Sequence, residues 1–185
     1  MSSFAVVLDA CVLYPMYLRD TLLRAAEAGL YRAHWSADIL DEVIRNVVAD
    51  KHVTRKAAER LIAMMRASFP EAEVTGHQLL IGSMLNDPKD RHVTAAAVRC
   101  GAQVIVTDNI KDFPIGALVP FDLEAQTADT FLTHLCFLDP EIMAGIITAQ
   151  AADYDAPPMT ASQLLDRLAK HAPRFVDLVR THFSG

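Results

Sequence analysis

Two continuously apolar segments each stop on an aspartate, and no other feature of the chain restricts its fold as much. Phe4-Ala5-Val6-Val7-Leu8 runs into Asp9, and Val104-Ile105-Val106-Thr107 runs into Asp108. An uninterrupted apolar run of this kind reads as a strand covered on both faces, as in a parallel sheet between helices. In such sheets the site gathers outside the carboxyl ends of the strands. Both aspartates are therefore placed where a site forms.

The pattern between and after these strands agrees. A helix is expected over residues 20–28, stopped by Gly29. Ser36 reads as the N-cap of a helix over 37–49, with Asp38 in its first turn. Thr54 reads as the cap of the next, which runs to Ser68 ahead of Pro70. An extended piece over 72–75 and an apolar segment over 78–85 follow. Asp87 reads as an N-cap with Pro88 at N1 and Asp90 at N3, opening a helix that ends at Cys100 before Gly101. A strand over 103–107 comes next, and 119–121 reads as one more. The alternation predicts an α/β fold, three layers α/β/α around a central, mainly parallel sheet of roughly four strands.

Beyond about Glu124 only helices are expected. Phe131, Leu132, Leu135 and Leu138 share one face, Asp139-Pro140 starts another helix, and Pro157-Pro158 marks a break. Thr160 with Gln163 forms a capping-box pattern. Phe175, Leu178, Val179 and Phe183 make a last apolar set. The expected division is a first domain over 1–132 and a helical extension over 133–185, packed on the core or on a partner.

Composition limits the classes. At 185 residues, 52% hydrophobic and 22% charged, the chain suits one sizeable core in a water-soluble globular protein. No apolar stretch approaches the ~18 residues of a membrane helix, so no membrane partner is expected. Met-Ser-Ser directly ahead of a strand carries neither the basic nor the apolar region of a secretory signal. Cys11, Cys100 and Cys136 are odd in number and widely spaced, which fits a reducing, cytoplasmic compartment. A net charge of −6 argues against nucleic-acid binding by bulk attraction. It leaves room for phosphates brought to a metal in an acidic pocket.

Each acid has a bland explanation. Asp9 and Asp108 could form turns, as could Asp112 ahead of Phe113-Pro114. Asp90 at N3 would stabilise a helix start through the macrodipole alone, but it lines up with the buried face of Val93, Thr94 and Ala97. Asp87 is accounted for by capping. Glu42 lies at the flank of the stripe Ile39, Leu40, Val43 and Val47, and Arg45 at i+3 offers it an ion pair. Cys11 reads as a buried apolar thiol rather than a nucleophile. Lys51, Arg55, Lys56 and Arg60 make one helix locally basic, either a solvated face or a contact for a phosphate backbone. Several acids at one rim repel unless a cation joins them, and an all-oxygen set suits Mg²⁺ or Mn²⁺.

Four stretches together resemble the PIN-domain nucleases, in particular the bacterial toxin–antitoxin branch called VapC-like. They are Val7-Leu8-Asp9-Ala10-Cys11-Val12-Leu13, Ile39-Leu40-Asp41-Glu42-Val43, Asp87-Pro88-Lys89-Asp90-Arg91-His92-Val93, and Val106-Thr107-Asp108-Asn109 with its tail Ile110-Lys111-Asp112-Phe113-Pro114. The resemblance covers about residues 4–132. It implies catalytic, metal-holding acids at Asp9, Glu42 and Asp90, and a fourth at either Asp108 or Asp112, with Asn109 in a supporting role. Position 11, where that family has a small polar residue supporting the site, is a cysteine here. The resemblance further implies an Mg²⁺- or Mn²⁺-dependent endoribonuclease with an RNA substrate, a cognate antitoxin protein and a homodimer. A phosphatase that also starts on a strand ending in Asp needs a second Asp two residues on, and the cysteine at position 11 argues against it. The competing class is a catalytically idle PIN-like module that binds RNA or protein.

Overall fold

The first apolar run forms β1 (Ala5–Leu8), and all four of its residues are fully buried. A computed structural model describes residues 4–50 and 53–183. β1 pairs in parallel with β2 (Arg32–Ser36) on one side and β4 (Val104–Val106) on the other. β3 (Glu73–Val74) extends the sheet beyond β2, and β5 (Glu124–Gln126) extends it beyond β4. The order is β3-β2-β1-β4-β5, all parallel, with Val7 opposite His34 on one flank and Ile105 on the other. The fold is the three-layer α/β/α arrangement expected, with five strands.

The order fixes where a site can lie. From β1 the chain steps outward to β2 and β3, then returns to the other side of β1 for β4 and β5. The switch point is between β1 and β4, and the crevice outside their carboxyl ends is where such sheets bind ligands. Asp9 follows β1 directly, and its backbone N–H donates to the Val106 carbonyl of β4 at 3.0 Å.

Helices flank these strands. α1 (Ala10–Leu13) is a single turn after β1, and α2 (Met16–Glu27) follows. α3 (Ala37–Ala49) starts at the Ser36 cap and α4 (Arg55–Ser68) at the Thr54 cap, each hydroxyl accepting from a backbone N–H three residues on. α5 (Arg91–Cys100) packs on β1, β2 and β4 and ends at Gly101 in the left-handed region. α6 (Ile115–Leu118) precedes β5.

Three expectations are corrected. Residues 119–121 form a 3₁₀ turn, not a strand, because Pro120 has no N–H for a ladder. The strand is β5, reached after Asp122 turns the chain at φ 55. α5 begins at Arg91 rather than at Asp87, since the Asp87 carboxylate accepts from Lys89 N at 3.0 Å and turns the chain before the helix starts. β2 was unforeseen: its sequence Arg-Ala-His-Trp-Ser is polar at alternate positions, yet Ala33, Trp35 and Ser36 are buried.

The chain divides into two compact units, Met1–Pro15 with Tyr31–Gln126, and Met16–Leu30 with Thr127–Gly185. The division expected at 132 falls inside α7 (Ala128–Leu138), whose cap is Thr127. The second unit also holds α2, α8 (Pro140–Ala152), α9 (Ala161–Leu168) and α10 (Pro173–Phe183). Phe131, Leu132 and Leu135 are buried as expected, while Leu138 stands 63% exposed, off that face. Inside this unit Thr21 Oγ1 donates to Gln150 Oε1 at 2.7 Å, satisfying two polar groups in an apolar core. Among the described residues no single helix is long and apolar enough to cross a membrane.

Candidate active site

Asp9 is 2% exposed and is held by three donors. Its Oδ1 accepts from the Ala10 N–H at 2.7 Å, which caps α1. Its Oδ2 accepts from the Thr107 hydroxyl at 2.7 Å and from the Cys11 thiol at 3.2 Å. Burial pushes its pKa above the usual carboxylate range, against the pull of these hydrogen bonds, and the charge of Glu42 adds to the rise. Cys11 is therefore no apolar core thiol. It is half-buried, donates to Asp9 and accepts the Asp108 N–H at 3.3 Å. Burial and the neighbouring Asp9 raise its thiol to about 12, so it serves as a protonated donor.

Asp90 sits at the N-cap position of α5 and makes no capping hydrogen bond with its side chain. The carboxylate is thus not spent on a capping hydrogen bond, although it still lies at the positive end of the helix. Burial and then the charges of Asp9, Asp112, Glu42 and Asp87 raise it to about 6. Glu42, on the second turn of α3, has its Oε1 3.1 Å from the His92 Nε2 of α5 and 3.5 Å from Arg45. For His92, burial opposes the charged form, but the Glu42 hydrogen bond and the charges of Glu42, Asp38 and Asp9 outweigh it and raise the pKa.

Asp112 ends a 3₁₀ turn (Ile110–Asp112) after β4, and its carbonyl accepts from the Asp87 N–H at 3.2 Å. This backbone bond ties the turn to the segment leading into Asp90. Asp108 is exposed, and Thr107, one residue earlier, is the side chain that reaches Asp9. The structure thus brings Asp9, Glu42 and Asp112 within electrostatic reach of Asp90, with Asp112 rather than Asp108 among the charges raising it. Asn109 donates its backbone N–H to Thr107 Oγ1 at 3.1 Å. Arg55, Lys56 and Arg60 lie exposed on α4, with Arg55 paired to Glu59 at 2.9 Å. Lys51 lies outside the described residues.

Three supporting residues went unread in the sequence: Thr107, the donor role of Cys11, and His92. All lie inside the four motif stretches, and that position was the available signal. A cleft of about 400 Å³ opens beside Glu42 and His92, with Asp41, Arg45, Ile81 and Pro88 in its walls. Among the described residues no three His, Cys, Asp or Glu side chains stand close enough to hold a metal ion as placed. The donor chemistry nonetheless fits a hard cation, since the charges of Asp9, Asp112 and Glu42 all bear on Asp90 and an all-oxygen set would be relieved by positive charge.

Comparison with known proteins places the chain. A family model described as a PIN domain matches residues 5–111, more than half of the sequence. The chain belongs to the PIN-domain family. The match takes in Asp9, Glu42, Asp90 and Asp108, and stops one residue short of Asp112. A second model, the VapC50 C-terminal domain, matches residues 128–181 of this PIN-domain protein, nearly all of the helices that follow β5. A curated relative from Mycobacterium tuberculosis (strain ATCC 25618 / H37Rv), named "Putative ribonuclease VapC50", is 43% identical over 108 residues, 58% of this chain. The matched region spans 64% of that relative's length. No solved structure gives a significant match.

Proposed function

We propose that this PIN domain is a metal-dependent endoribonuclease and the toxin of a toxin–antitoxin pair. The observation that carries the reading is the gathering of acids at the β1–β4 switch point, where burial and then the charges of Asp9, Asp112 and Glu42 raise Asp90, and burial with the charge of Glu42 raises Asp9. Clustered acids at a ligand-binding rim destabilise the fold unless a cation offsets them, so an idle binding module has no use for the arrangement.

Asp9, Asp90 and Asp112 would hold Mg²⁺ or Mn²⁺, with Glu42 completing the site. When bound, the ion supplies the positive charge that polarises a phosphodiester and promotes ionisation of water. The chain's own residues prepare that event. Thr107, Cys11 and Ala10 fix the Asp9 carboxylate by hydrogen bonds, so one ligand is oriented before any ion arrives. The tie between Asp87 N–H and the Asp112 carbonyl holds two acid-bearing loops in register. The cleft beside Glu42 is where an RNA strand would enter, and Arg55, Lys56 and Arg60 are candidates for its phosphates. We assign the role of fourth acid to Asp112, and Asp108 lends its backbone N–H to Cys11 Sγ.

We further assign an antitoxin protein as partner, a homodimer as assembly and the cytoplasm as location. The similarity to VapC50 in both segments supports the toxin–antitoxin assignment. Cleavage of single-stranded RNA by purified, chelator-stripped protein, with and without added Mn²⁺, tests the reading. Equal cleavage in both conditions, or none in either, would overturn it.

A further inference from the structure

Glu42 belongs to the proposed cation site, yet it stands on a helix flank with a long, flexible side chain that is only half-buried. Left alone, such a carboxylate beside other acids would swing toward water. Two groups restrain it, both through Oε1, which leaves Oε2 for a further ligand. Arg45 is 68% exposed at 3.5 Å, a geometry that contributes little. His92 is 11% exposed, and its Nε2–H donates at 3.1 Å.

The other nitrogen of this ring, Nδ1, is buried without a hydrogen-bond partner among the described residues. A buried ring nitrogen left unmet is costly, and among the described residues the hydrogen bond of this ring is to Glu42. His92 also lies on α5, two residues after Asp90, so one helix carries an acid and the donor that orients another. We propose that His92 is a positioning residue for Glu42, holding its carboxylate toward the cation site from across the α3–α5 junction. Hydrogen-bonded partners of metal-ligating groups act in this way, fixing orientation before loading.

The inference rests on the metal-dependent reading, and the test separates the two. Mn²⁺ binding to the metal-free full chain is measured by calorimetry, alongside RNA cleavage across Mn²⁺ concentration. His92→Leu, which removes the donor at similar bulk, is expected to weaken Mn²⁺ binding about 10–100-fold. His92→Gln, whose amide N–H can take the place of Nε2–H, is expected to recover most of that loss. In a Glu42→Ala background His92→Leu is expected to add nothing, because the histidine acts only through Glu42. Melting temperature verifies folding, and if His92→Leu does not fold, His92→Asn, too short to reach Glu42, replaces it. Wild-type affinity in the donor-less variant, or a full extra loss in the Glu42→Ala background, would overturn the inference while leaving the metal reading intact. A wild type that takes up no Mn²⁺ would overturn both.

Discussion

Asp9, directly after β1, and Asp90, at the start of α5, show how the same side chain does different work in two settings. Asp9 is locked by three donors in a buried setting, whereas Asp90 is freed from capping and left facing other charges. Folding raises the Asp90 carboxyl from 3.8 to about 6. Between those values the folded chain holds a proton that the unfolded chain has released. Stability from this group is therefore fullest below 3.8 and is lost as pH rises through about 6. In metal-free protein Asp90→Asn should raise the melting temperature more at pH 7 than at pH 5, and an equal difference at both would contradict the assignment. The choice of fourth acid is also a residue-scale question. Asp112→Asn should reduce metal-dependent cleavage by orders of magnitude, while Asp108→Asn should stay within a few-fold of wild type, as measured by initial rates at saturating Mn²⁺. The reverse ranking would return the role to the strand end.

At the scale of elements, what could be read in the sequence was what local chemistry decides. β1 and β4 are apolar throughout because both faces are covered, and the caps at Ser36, Thr54 and Thr160 bond as their side chains require. Gly101 ends α5 at φ 66 with open space around its α-carbon. Gly101→Ala should therefore destabilise through backbone strain alone, by about 1–2 kcal/mol in chemical denaturation. β2 and β5 were not legible, since their ladders use backbone groups and their side chains, Arg-Ala-His-Trp-Ser and Glu-Ala-Gln, lack the continuous apolar run of β1 and β4. The start of α5 was misplaced because Asp87 can cap a helix or form a turn, and only the Lys89 contact decides between them. The sequence left Asp108 and Asp112 open as the fourth acid, and the 3₁₀ turn after β4 brings the charge of Asp112 to bear on Asp90. On α4, replacing Arg55, Lys56 and Arg60 by Ala should weaken RNA binding and flatten its dependence on salt. An unchanged salt slope would return that helix to a solvated face.

At the scale of the whole molecule, a chain of net charge −6 is proposed to act on a polyanion. Bulk attraction cannot bring the two together, so on the proposed reading a cation at the acid cluster would reverse the local sign. That makes metal dependence the central claim. The most direct measurement is the cleavage rate of a single-stranded RNA by chelator-stripped wild type and Asp9→Asn, each titrated with Mn²⁺. Wild type should be silent without metal and active with it, and Asp9→Asn should remain folded but slower by orders of magnitude at every concentration. Cleavage by Asp9→Asn at the wild-type rate, or wild-type cleavage indifferent to Mn²⁺, would contradict the account.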